Sequence, residues 1–498
     1  MSPLRIFFVL FFSLVPFALA ASERVALVIG MAKYETVVTL DNTVNDAISI
    51  SRTLESIGFD VRMLTDVTSE ELRRAVDDFA FKSETADLAL IYFAGHGVEV
   101  QGQNFLIPID ANVKSNKDIQ RQSVSLKQLL AAAGNARKMR IVILDSCRDN
   151  PFGDTLDLAA LAKVDNDANK TRGLTGGLAK PAPDRGTLVA FAAKDGQKAL
   201  DGSGNNSPFA IALIENLPKP NLEISLLFRQ VRDSVLQTTS NEQEPHTYGS
   251  LSGIPYYLAG STTQSSNVGD TDLRVAWSDI MPDQETQLVK LAGQGDTRSM
   301  IGLAYIRLNA EDERYAPSKA AQYLTLASDE GSAEAQFELA KLYEMGLGVK
   351  QDFDKALELY ELSASADFPD ALNDLGFLYF QGGQGNIFRD QRKALEYFKR
   401  AADLKQPQAM FNYAALIDDG LIEGTGPSDA AHYLYKSLRS GSRQVLEILT
   451  NKPNMFKQET LKELQKQLTT YAFYNGPIDG DFGAMSKKSM RVAFGLLE

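Results

Sequence analysis

The sequence predicts an α/β domain with a mainly parallel sheet and helices on both faces, followed by an all-α repeat solenoid and a small α-helical tail module. Two observations predict this order. Short apolar segments alternate with amphipathic segments over the first half of the chain, and strand–helix alternation produces a parallel sheet covered on both faces. In the second half, small residues recur with a period typical of stacked helical pairs.

Residues 1–20 are predicted to be a targeting segment outside the folded domains. Arg5 precedes a short apolar run, and Ala18 and Ala20 form an Ala-x-Ala cleavage site. The run is too short for a comfortable transmembrane span. We therefore expect a signal peptide cleaved near Ala20, a periplasmic or otherwise exported protein, and no stable membrane span after cleavage. An uncleaved anchor is the alternative.

Length and charge restrict the classes of function. A chain of 498 residues is too long for one hydrophobic core and predicts roughly three domains. The net charge of −13, with no long basic tract, argues against nucleic acid as a partner. One cysteine makes no intramolecular disulfide, and three widely spaced histidines with that cysteine make no zinc site. We predict no metal and no cofactor.

The α/β domain is expected to span residues 22–260. Strands are predicted at 24–30, 59–64, 88–94, 140–145, 186–192 and 254–258, and the first two helices at 42–57 and 69–81. Functional groups of such sheets collect at the carboxyl ends of the strands. His96, Cys147 and the loop after Ala193 all follow predicted strands, so we expect them at one edge of the sheet.

Cys147 and His96 are the candidate catalytic residues. A thiol needs a base to become a nucleophile, and a histidine about fifty residues before the cysteine is the caspase-type order. The alternatives are a buried cysteine that acts as a small hydrophobic residue, and a hydrogen-bonded core histidine. A lone thiol in an exported protein is also exposed to oxidation.

A family resemblance adds to this interpretation. The segments ALVIG, NTVNDA, YFAGHG, LIPIDA, ILDSCRDNPF, GTLVAFAAKDGQKALDG and NSPFAIAL resemble the successive motifs of bacterial caspase-family, metacaspase-like peptidases, over about 235 residues. The resemblance implies a cysteine-type endopeptidase with a Cys147–His96 dyad. It also implies that the backbone N–H groups of Gly97 and Cys147 hold the oxyanion. The alternative is a catalytically silent scaffold or adaptor protein in the cell envelope.

Two aspartates are candidates for the S1 pocket. Asp145 lies two residues before Cys147 and therefore points to the same side of a strand. The resemblance implies that Asp145 and Asp46 recognise Arg or Lys at P1, so the expected substrates are peptides or proteins with a basic P1 residue. The alternatives are a carboxylate at a helix N-terminus for Asp46 and a hydrogen-bonding strand-end residue for Asp145. A calcium requirement, known in some metacaspases, is not readable from these residues.

The segment 153–185 has no clear periodicity and is rich in Asp, Gly, Ala, Lys and Pro. A segment of this length inside a compact domain is usually functional or disordered. It lies where caspase-like proteins carry the linker between their subunits. Self-cleavage within it is therefore a hypothesis. Its basic residues are Lys163, Lys170, Arg172, Lys180 and Arg185.

A predicted linker, residues 261–284, leads to helical repeats at 285–445. Equivalent small residues recur at intervals of 36 to 38 residues, and glycines fall between the helices. The first helices carry Ser299, Ala335, Ala371 and Ala409, the second helices Ala320, Ala356, Ala394 and Ala430, and the glycines are Gly346, Gly382 and Gly420. This pattern resembles Sel-one-like repeats, relatives of tetratricopeptide repeats. The resemblance implies an unknown protein partner on the concave face; a purely structural spacer is the alternative.

The tail, residues 455–498, resembles the small helical peptidoglycan-binding domain. The resemblance depends on Leu464, Gln465, Leu468, Tyr474, Gly476, Ile478, Asp479, Gly480, Phe482 and Gly483. It implies peptidoglycan as a partner. The alternative is a small cap on the apolar end of the solenoid.

Overall fold

The computed structural model describes residues 24–147, 186–194, 197, 199–260, 277, 280–382 and 388–496. The expected signal peptide and the segment 153–185 lie outside the described residues, as does most of the expected linker.

The α/β domain alternates strands with helices, as its hydrophobic pattern predicts. Its strands are β1 (Arg24–Gly30), β2 (Asp60–Thr65), β3 (Leu88–Val100), β4 (Gln103–Leu106), β5 (Val124–Ser125), β6 (Met139–Cys147), β7 (Thr187–Phe191) and β8 (His246–Ser250). Its helices are α1 (Thr43–Ser56), α2 (Ser69–Ser83), α3 (Asn116–Gln122), α4 (Leu126–Ala133), α5 (Pro208–Asn216) and α6 (Ile224–Thr238).

The main sheet has the strand order β2-β1-β3-β6-β7-β8. All neighbouring pairs are parallel except β7 and β8. Alternate residues of β1 enter two different cores: Leu27 packs on the side covered by α2 and α4, and Val28 on the side covered by α1, α5 and α6. The predicted, mainly parallel sheet with helices on both faces is confirmed.

The prediction of a last strand at 254–258 is wrong. The last strand is β8, and within 254–258 only Tyr257 forms an isolated bridge, with Glu223. The polypeptide around Gly253 is instead held by the solenoid. A Cβ at Gly253 would lie 2.2 Å from Cγ2 of Ile301, so this close approach requires glycine. Within 254–258, the Ile254 carbonyl accepts from Arg298, the Tyr256 carbonyl from the Ile224 N–H, and the Leu258 carbonyl from the Arg24 side chain, so these groups do not form a strand ladder.

The repeat region is a stack of antiparallel helical pairs. Its helices are α7 (Pro282–Ala292), α8 (Thr297–Leu308), α9 (Pro317–Asp329), α10 (Ala333–Met345), α11 (Phe353–Ser365), α12 (Pro369–Gln381), α13 (Gln391–Asp403), α14 (Pro407–Asp418) and α15 (Pro427–Arg439). The equivalent small residues occupy the third position of each first helix and the fourth position of each second helix, and all of them are buried. Trp277 and Ile280, which fall in the expected linker, are also buried in this core.

The tail packs against the last repeat. It contains α17 (Gln458–Thr470) and α18 (Ala484–Phe494), and α16 (Arg443–Asn451) connects it to the last repeat. Leu464, Leu468 and Phe494 share one buried cluster with Leu434 and Leu438 of α15. The tail therefore covers the apolar end of the solenoid, which favours the cap among the two sequence-based alternatives.

A first junction joins the start of the solenoid to the α/β domain. Arg298 of α8 forms a 2.6 Å ion pair with Glu223, whose side chain is fully buried, and donates to the carbonyl oxygens of Ser252 and Ile254. Glu334 accepts a hydrogen bond from the Gly253 N–H at 2.9 Å. The junction is therefore formed by buried polar groups that satisfy one another.

A second junction joins the end of the solenoid to the same domain. The Arg439 guanidinium pairs with Glu84 at 2.9 Å and lies over the rings of Phe81, at 5.0 Å, and of Phe473 in the tail, at 5.3 Å. Arg137 donates to the carbonyl oxygen of Arg439. Since both ends of the solenoid are attached to the α/β domain, the described residues form a closed ring.

We expect the first junction to be a large contributor to stability. Replacing Arg298 with alanine leaves Glu223 buried without its charge partner, which typically costs about 3–5 kcal/mol. Urea unfolding of the full chain should therefore show the Arg298→Ala variant to be strongly destabilised. The control is Arg74→Ala, which removes an exposed ion pair with Glu70 and should leave the midpoint nearly unchanged. Equal midpoints for the two variants would contradict this assignment.

Candidate active site

Parallel pairing of β3 with β6 brings the two candidate catalytic residues together. The register aligns Phe93 with Leu144 and ends with His96 beside Cys147. Parallel neighbours lie about 4.8 Å apart across a sheet. The backbones of His96 and Cys147 are therefore adjacent at the carboxyl edge, where the sequence places them. For Cys147 the structure describes the backbone position.

The His96 ring is buried and oriented by a carbonyl group. Its Nε2 lies 2.8 Å from the carbonyl oxygen of Val38, and its ring packs on that of Tyr34 with the centroids 4.6 Å apart. A carbonyl oxygen only accepts hydrogen bonds, so Nε2 carries the proton and Nδ1 has a lone pair. Burial lowers the pKa of His96, while Val38 and Asp201 oppose this effect. The neutral ring therefore presents a base at Nδ1.

The segment that supplies the Val38 carbonyl is fixed to the sheet edge by hydrogen bonds. Asp66, directly after β2, accepts from the N–H groups of Ala32 and Lys33 at 2.7 and 3.0 Å. Thr36 donates to the carbonyl oxygen of Ala111. Although the Val38 side chain is 78% exposed, its carbonyl is positioned by this anchored backbone. The sequence contains no periodic pattern that predicts this contact.

The backbone around His96 points one N–H group toward Cys147. The His96 carbonyl accepts from the N–H of Ile107, on the edge of β3 that faces β4. Successive residues of a strand direct their backbone polar groups to opposite edges, so the Gly97 N–H points toward the β6 edge. Gly95 permits the close packing here, since a Cβ at this position would lie 2.6 Å from the Tyr34 hydroxyl oxygen. This direction is the one that the expected oxyanion role of Gly97 requires.

The structure brings Asp46 and Asp145 into one buried polar network. Asp46 accepts from the Asn206 amide at 2.8 Å and from the Ser207 N–H at 3.0 Å. Asp145 accepts from the Ser207 hydroxyl at 2.7 Å and from the Tyr92 hydroxyl at 3.0 Å. Both carboxylates are less than a tenth exposed. They therefore share Ser207 as a bridge, and no cation balances their charge within this network of hydrogen bonds.

A third carboxylate, Asp201, lines the same small cavity. It follows β7, in the loop that the sequence places at this edge, and its Oδ2 accepts from the Asp41 N–H at 3.1 Å. The cavity also includes Leu200 and has a volume of about 20 Å³. That volume is close to the space needed for one water molecule. A basic side chain therefore requires the walls of this cavity to open.

The carboxylates are held in an environment that favours their protonated forms. Burial, together with the neighbouring Asp46, raises the pKa of Asp145 from 3.8 to about 7. Burial, with a smaller contribution from Asp201, likewise raises the pKa of Asp46 to about 6. Hydrogen bonds from Ser207 oppose both shifts. A cation in the cavity would remove this electrostatic cost, because opposite charge favours the ionised carboxylate.

Sequence reasoning found part of this arrangement and missed the rest. It located His96, Cys147, Gly97, Asp145 and Asp46, all of which the structure places at one edge of the sheet. It missed a set of residues that contact these groups only in the folded structure. Those residues are Tyr34, Val38, Tyr92, Asp201, Asn206 and Ser207.

Among the missed residues, only Ser207 has a local sequence signal. It precedes Pro208 as a helix N-cap, and its hydroxyl accepts from the Ala210 N–H. That signal predicts the start of a helix and does not predict the contact with Asp145.

Within the part of the chain that the structure describes, no group of three or more His, Cys, Asp or Glu side chains is arranged to hold a metal ion. No helix in these ranges is both long enough and apolar enough to cross a membrane.

We expect the buried carboxylates to make stability depend on pH. Between the ordinary pKa of 3.8 and the raised value of about 7, folded Asp145 keeps a proton that the unfolded chain has released. The free energy of unfolding therefore falls as pH rises through this window. Thermal unfolding of Asp145→Asn and wild type should give a difference in melting temperature that increasingly favours the variant from pH 4 to pH 8. A difference that is constant with pH would contradict the raised pKa.

Comparison with family models gives a match in each half of the chain. A model described as the caspase domain matches residues 23–253. A model described as the Sel1 repeat matches residues 297–332, 333–368, 369–405 and 407–442.

Two curated relatives share part of the chain. Mucosa-associated lymphoid tissue lymphoma translocation protein 1 of Homo sapiens is 30% identical over 146 residues, which cover 29% of this chain and 17% of that protein. Chitin synthase regulatory factor 2 of Schizosaccharomyces pombe is 30% identical over 107 residues, which cover 20% of this chain and 21% of that protein. The chain thus spans about a fifth of the length of these relatives.

Solved structures show similarity to each part. Caspase-1 from Spodoptera frugiperda is 16% identical with a TM-score of 0.36, and the match covers 49% of this chain and 93% of that one. A Sel1 repeat protein from Oxalobacter formigenes is 20% identical with a TM-score of 0.31, and the match covers 45% of this chain and 58% of that one. On the family matches, the chain combines a caspase-like α/β domain at residues 23–253 with a solenoid of Sel1 repeats.

Proposed function

We propose that this protein is a cysteine-type endopeptidase that uses a Cys147–His96 dyad and cleaves after Arg or Lys. The observation that carries the proposal is the β3–β6 register, which ends with His96 beside Cys147. The lone pair of His96 at Nδ1 supports it, because a thiol requires a base within reach.

The proposed reaction begins with transfer of the Cys147 thiol proton to Nδ1 of His96. The thiolate sulfur attacks the scissile carbonyl carbon, and the negative charge that develops on its oxygen is stabilised by backbone N–H groups, including that of Gly97. The imidazolium then protonates the leaving amine as the peptide C–N bond breaks. Water, deprotonated by His96, hydrolyses the thioester and restores the thiol.

The proposed preference for a basic P1 residue depends on charge. Asp46, Asp145 and Asp201 line one cavity, and Asp145 lies two residues before the nucleophile in the sequence. The described lining of this cavity contains no basic side chain. A guanidinium or ammonium group would stabilise carboxylates whose pKa values burial raises. An acidic P1 side chain would meet repulsion at the same place.

Other parts of the chain indicate its location and its partners. We propose export to the periplasm on the basis of the sequence of residues 1–20. Protein binding by the solenoid is supported by its match to Sel1 repeats, which form extended concave surfaces. We propose peptidoglycan binding by the tail from the resemblance of residues 455–498 to the small helical peptidoglycan-binding domain. A pull-down with purified peptidoglycan tests this proposal.

We expect Cys147→Ala and His96→Ala to abolish hydrolysis of fluorogenic peptides with Arg or Lys at P1. Loss of either dyad member should lower kcat/KM by at least about 10³-fold, since the nucleophile and its base act as a unit. The assay uses reduced, full-length protein with and without calcium. Cys147→Ala should also abolish any cleavage within 153–185.

The matched control for the dyad is His432→Ala, which removes an exposed histidine of the solenoid. Its activity should equal that of wild type. Activity retained by Cys147→Ala would exclude this thiol as the nucleophile. A reduced wild-type protein that cleaves no peptide would favour a catalytically silent scaffold.

We expect Asp145→Asn to lower kcat/KM for peptides with a P1 arginine by about 10²-fold, because a buried charge partner of the substrate is removed. Asp78→Asn, which changes a surface ion pair with Arg62, should have no effect. The ratio of activities toward P1 Arg and a neutral P1 residue separates this role from general damage to the site. Cleavage after Asp by wild-type protein would overturn the assigned specificity.

A further inference from the structure

The ring formed by the α/β domain and the solenoid encloses a large cleft. Its volume is about 1110 Å³, which exceeds the range of roughly 300–1,000 Å³ typical of small-molecule pockets. One wall is the edge of the main sheet, at β8. The other wall consists of the loops that connect consecutive repeats, between α9 and α10, α11 and α12, and α13 and α14. The cleft is separate from the small cavity at Asp145.

The sheet edge in this cleft offers backbone hydrogen-bonding groups. β8 pairs with β7 on one side and is the last strand in the order of the described sheet. His246, Thr247 and Gly249 are exposed and line the cleft. The outer edge of a terminal strand presents N–H and C=O groups at regular intervals, which is the requirement for addition of another strand.

Both walls of the cleft carry charged side chains. On the α/β side, Arg229 and Arg232 of α6 are 46% and 48% exposed, and they pair with Asp296 at 3.9 Å and with Asp233 at 3.2 Å. On the solenoid side, the lining includes Glu330, Asp367, Asp403 and Lys405. Asp367 pairs with Arg400 and Asp403 with Lys399 at the surface of the repeats. A ligand that spans the cleft would therefore meet arginines on one side and carboxylates on the other.

We propose that this cleft binds an extended polypeptide segment of a partner protein, which adds a strand at the outer edge of β8. Main-chain hydrogen bonds to β8 would supply affinity. Acidic side chains of the segment would face Arg229 and Arg232, and basic side chains would face the carboxylates of the repeat loops.

The enclosure of the cleft leaves space for a single extended chain and obstructs a second folded copy of this protein. The first junction closes one end, at Ser252 and Ile254. At the other end Lys405 donates to Asn135 and to the carbonyl oxygen of Gly134. The repeat loops stand opposite β8 between these points, so they obstruct the approach of another folded domain to this edge. A lone strand needs only the strand-to-strand spacing of about 4.8 Å.

Binding can be tested without catalysis. Phage-displayed 12-residue peptides would be selected on the full chain carrying Cys147→Ala, and the best peptide would be synthesised with a fluorescein label. Fluorescence anisotropy then measures its affinity, and hydrogen exchange with mass spectrometry locates it. We expect protection of the amides of residues 246–250.

Substitutions in the cleft separate specific binding from surface adhesion. Glu330→Trp places a large side chain in the cleft and should weaken the peptide at least tenfold. Glu313→Trp, an exposed position in the loop at the opposite end of the same helical pair, should not change its affinity. Arg232→Ala, which keeps the cleft open, should weaken binding about two- to fivefold.

Three outcomes would overturn the proposal. The first is the absence of selected binders. The second is binders that protect other segments and are indifferent to Glu330→Trp. The third is a concentration-dependent dimer of the chain that Glu330→Trp dissociates, which would assign β8 to a second copy. Since the nucleophile is absent from the tested protein, these outcomes are independent of whether the chain is a peptidase.

Discussion

The parallel pairing of β3 with β6 is the constraint on which the rest of the candidate site depends. It fixes His96 and Cys147 side by side, and it also sets the direction of the Gly97 N–H group. Each property follows from backbone geometry, because strands in register bring residues of distant sequence to the same height. Neighbouring groups then fix the tautomer and the orientation of the His96 ring. The Val38 carbonyl selects the tautomer of His96, and Tyr34 supports the ring.

A second physical theme is the burial of carboxylates without a cation. Asp46 and Asp145 are stabilised by donors from Asn206, Ser207 and Tyr92, yet burial still raises their pKa values. Such an arrangement costs folding free energy whenever both groups are ionised. Binding of a cationic ligand would remove this electrostatic cost, and the free energy recovered would strengthen the binding of that ligand. The cavity is small, at about 20 Å³, so binding of a larger side chain and widening of the pocket are linked.

The solenoid differs from an appended module on a flexible linker, because both its ends are bonded to the α/β domain. The first junction depends on Arg298 and the second on Arg439, and each guanidinium is largely buried and multiply hydrogen-bonded. The geometry of the planar guanidinium suits several acceptors at once. The consequence is a ring whose central cleft has one wall from each part of the chain. Motion of the solenoid relative to β8 would therefore change the width of the cleft.

The sequence by itself determined the order of the parts and the candidates for the reactive side chains. Hydrophobic periodicity placed strands and helices, and the repeat period placed the small residues where helices touch, because these signals are local or regular along the chain. The positions of Cys147 and His96 followed from the rule that strand ends meet at one edge. The strand expected at 254–258 is absent because its carbonyl groups bind distant parts of the chain, such as Arg298 at Ile254 and the Ile224 N–H at Tyr256.

Only the tertiary structure decided the features that arise where distant segments meet. The contact of the Val38 carbonyl with His96 and the position of Asp201 beside Asp145 depend on loops whose course no local pattern encodes. The closed ring depends on Arg298 and Arg439, whose partners lie in a distant part of the chain. The physical reason is that loop contacts are selected by burial and hydrogen bonding in the assembled fold, whereas strands and helices carry their own periodic signature.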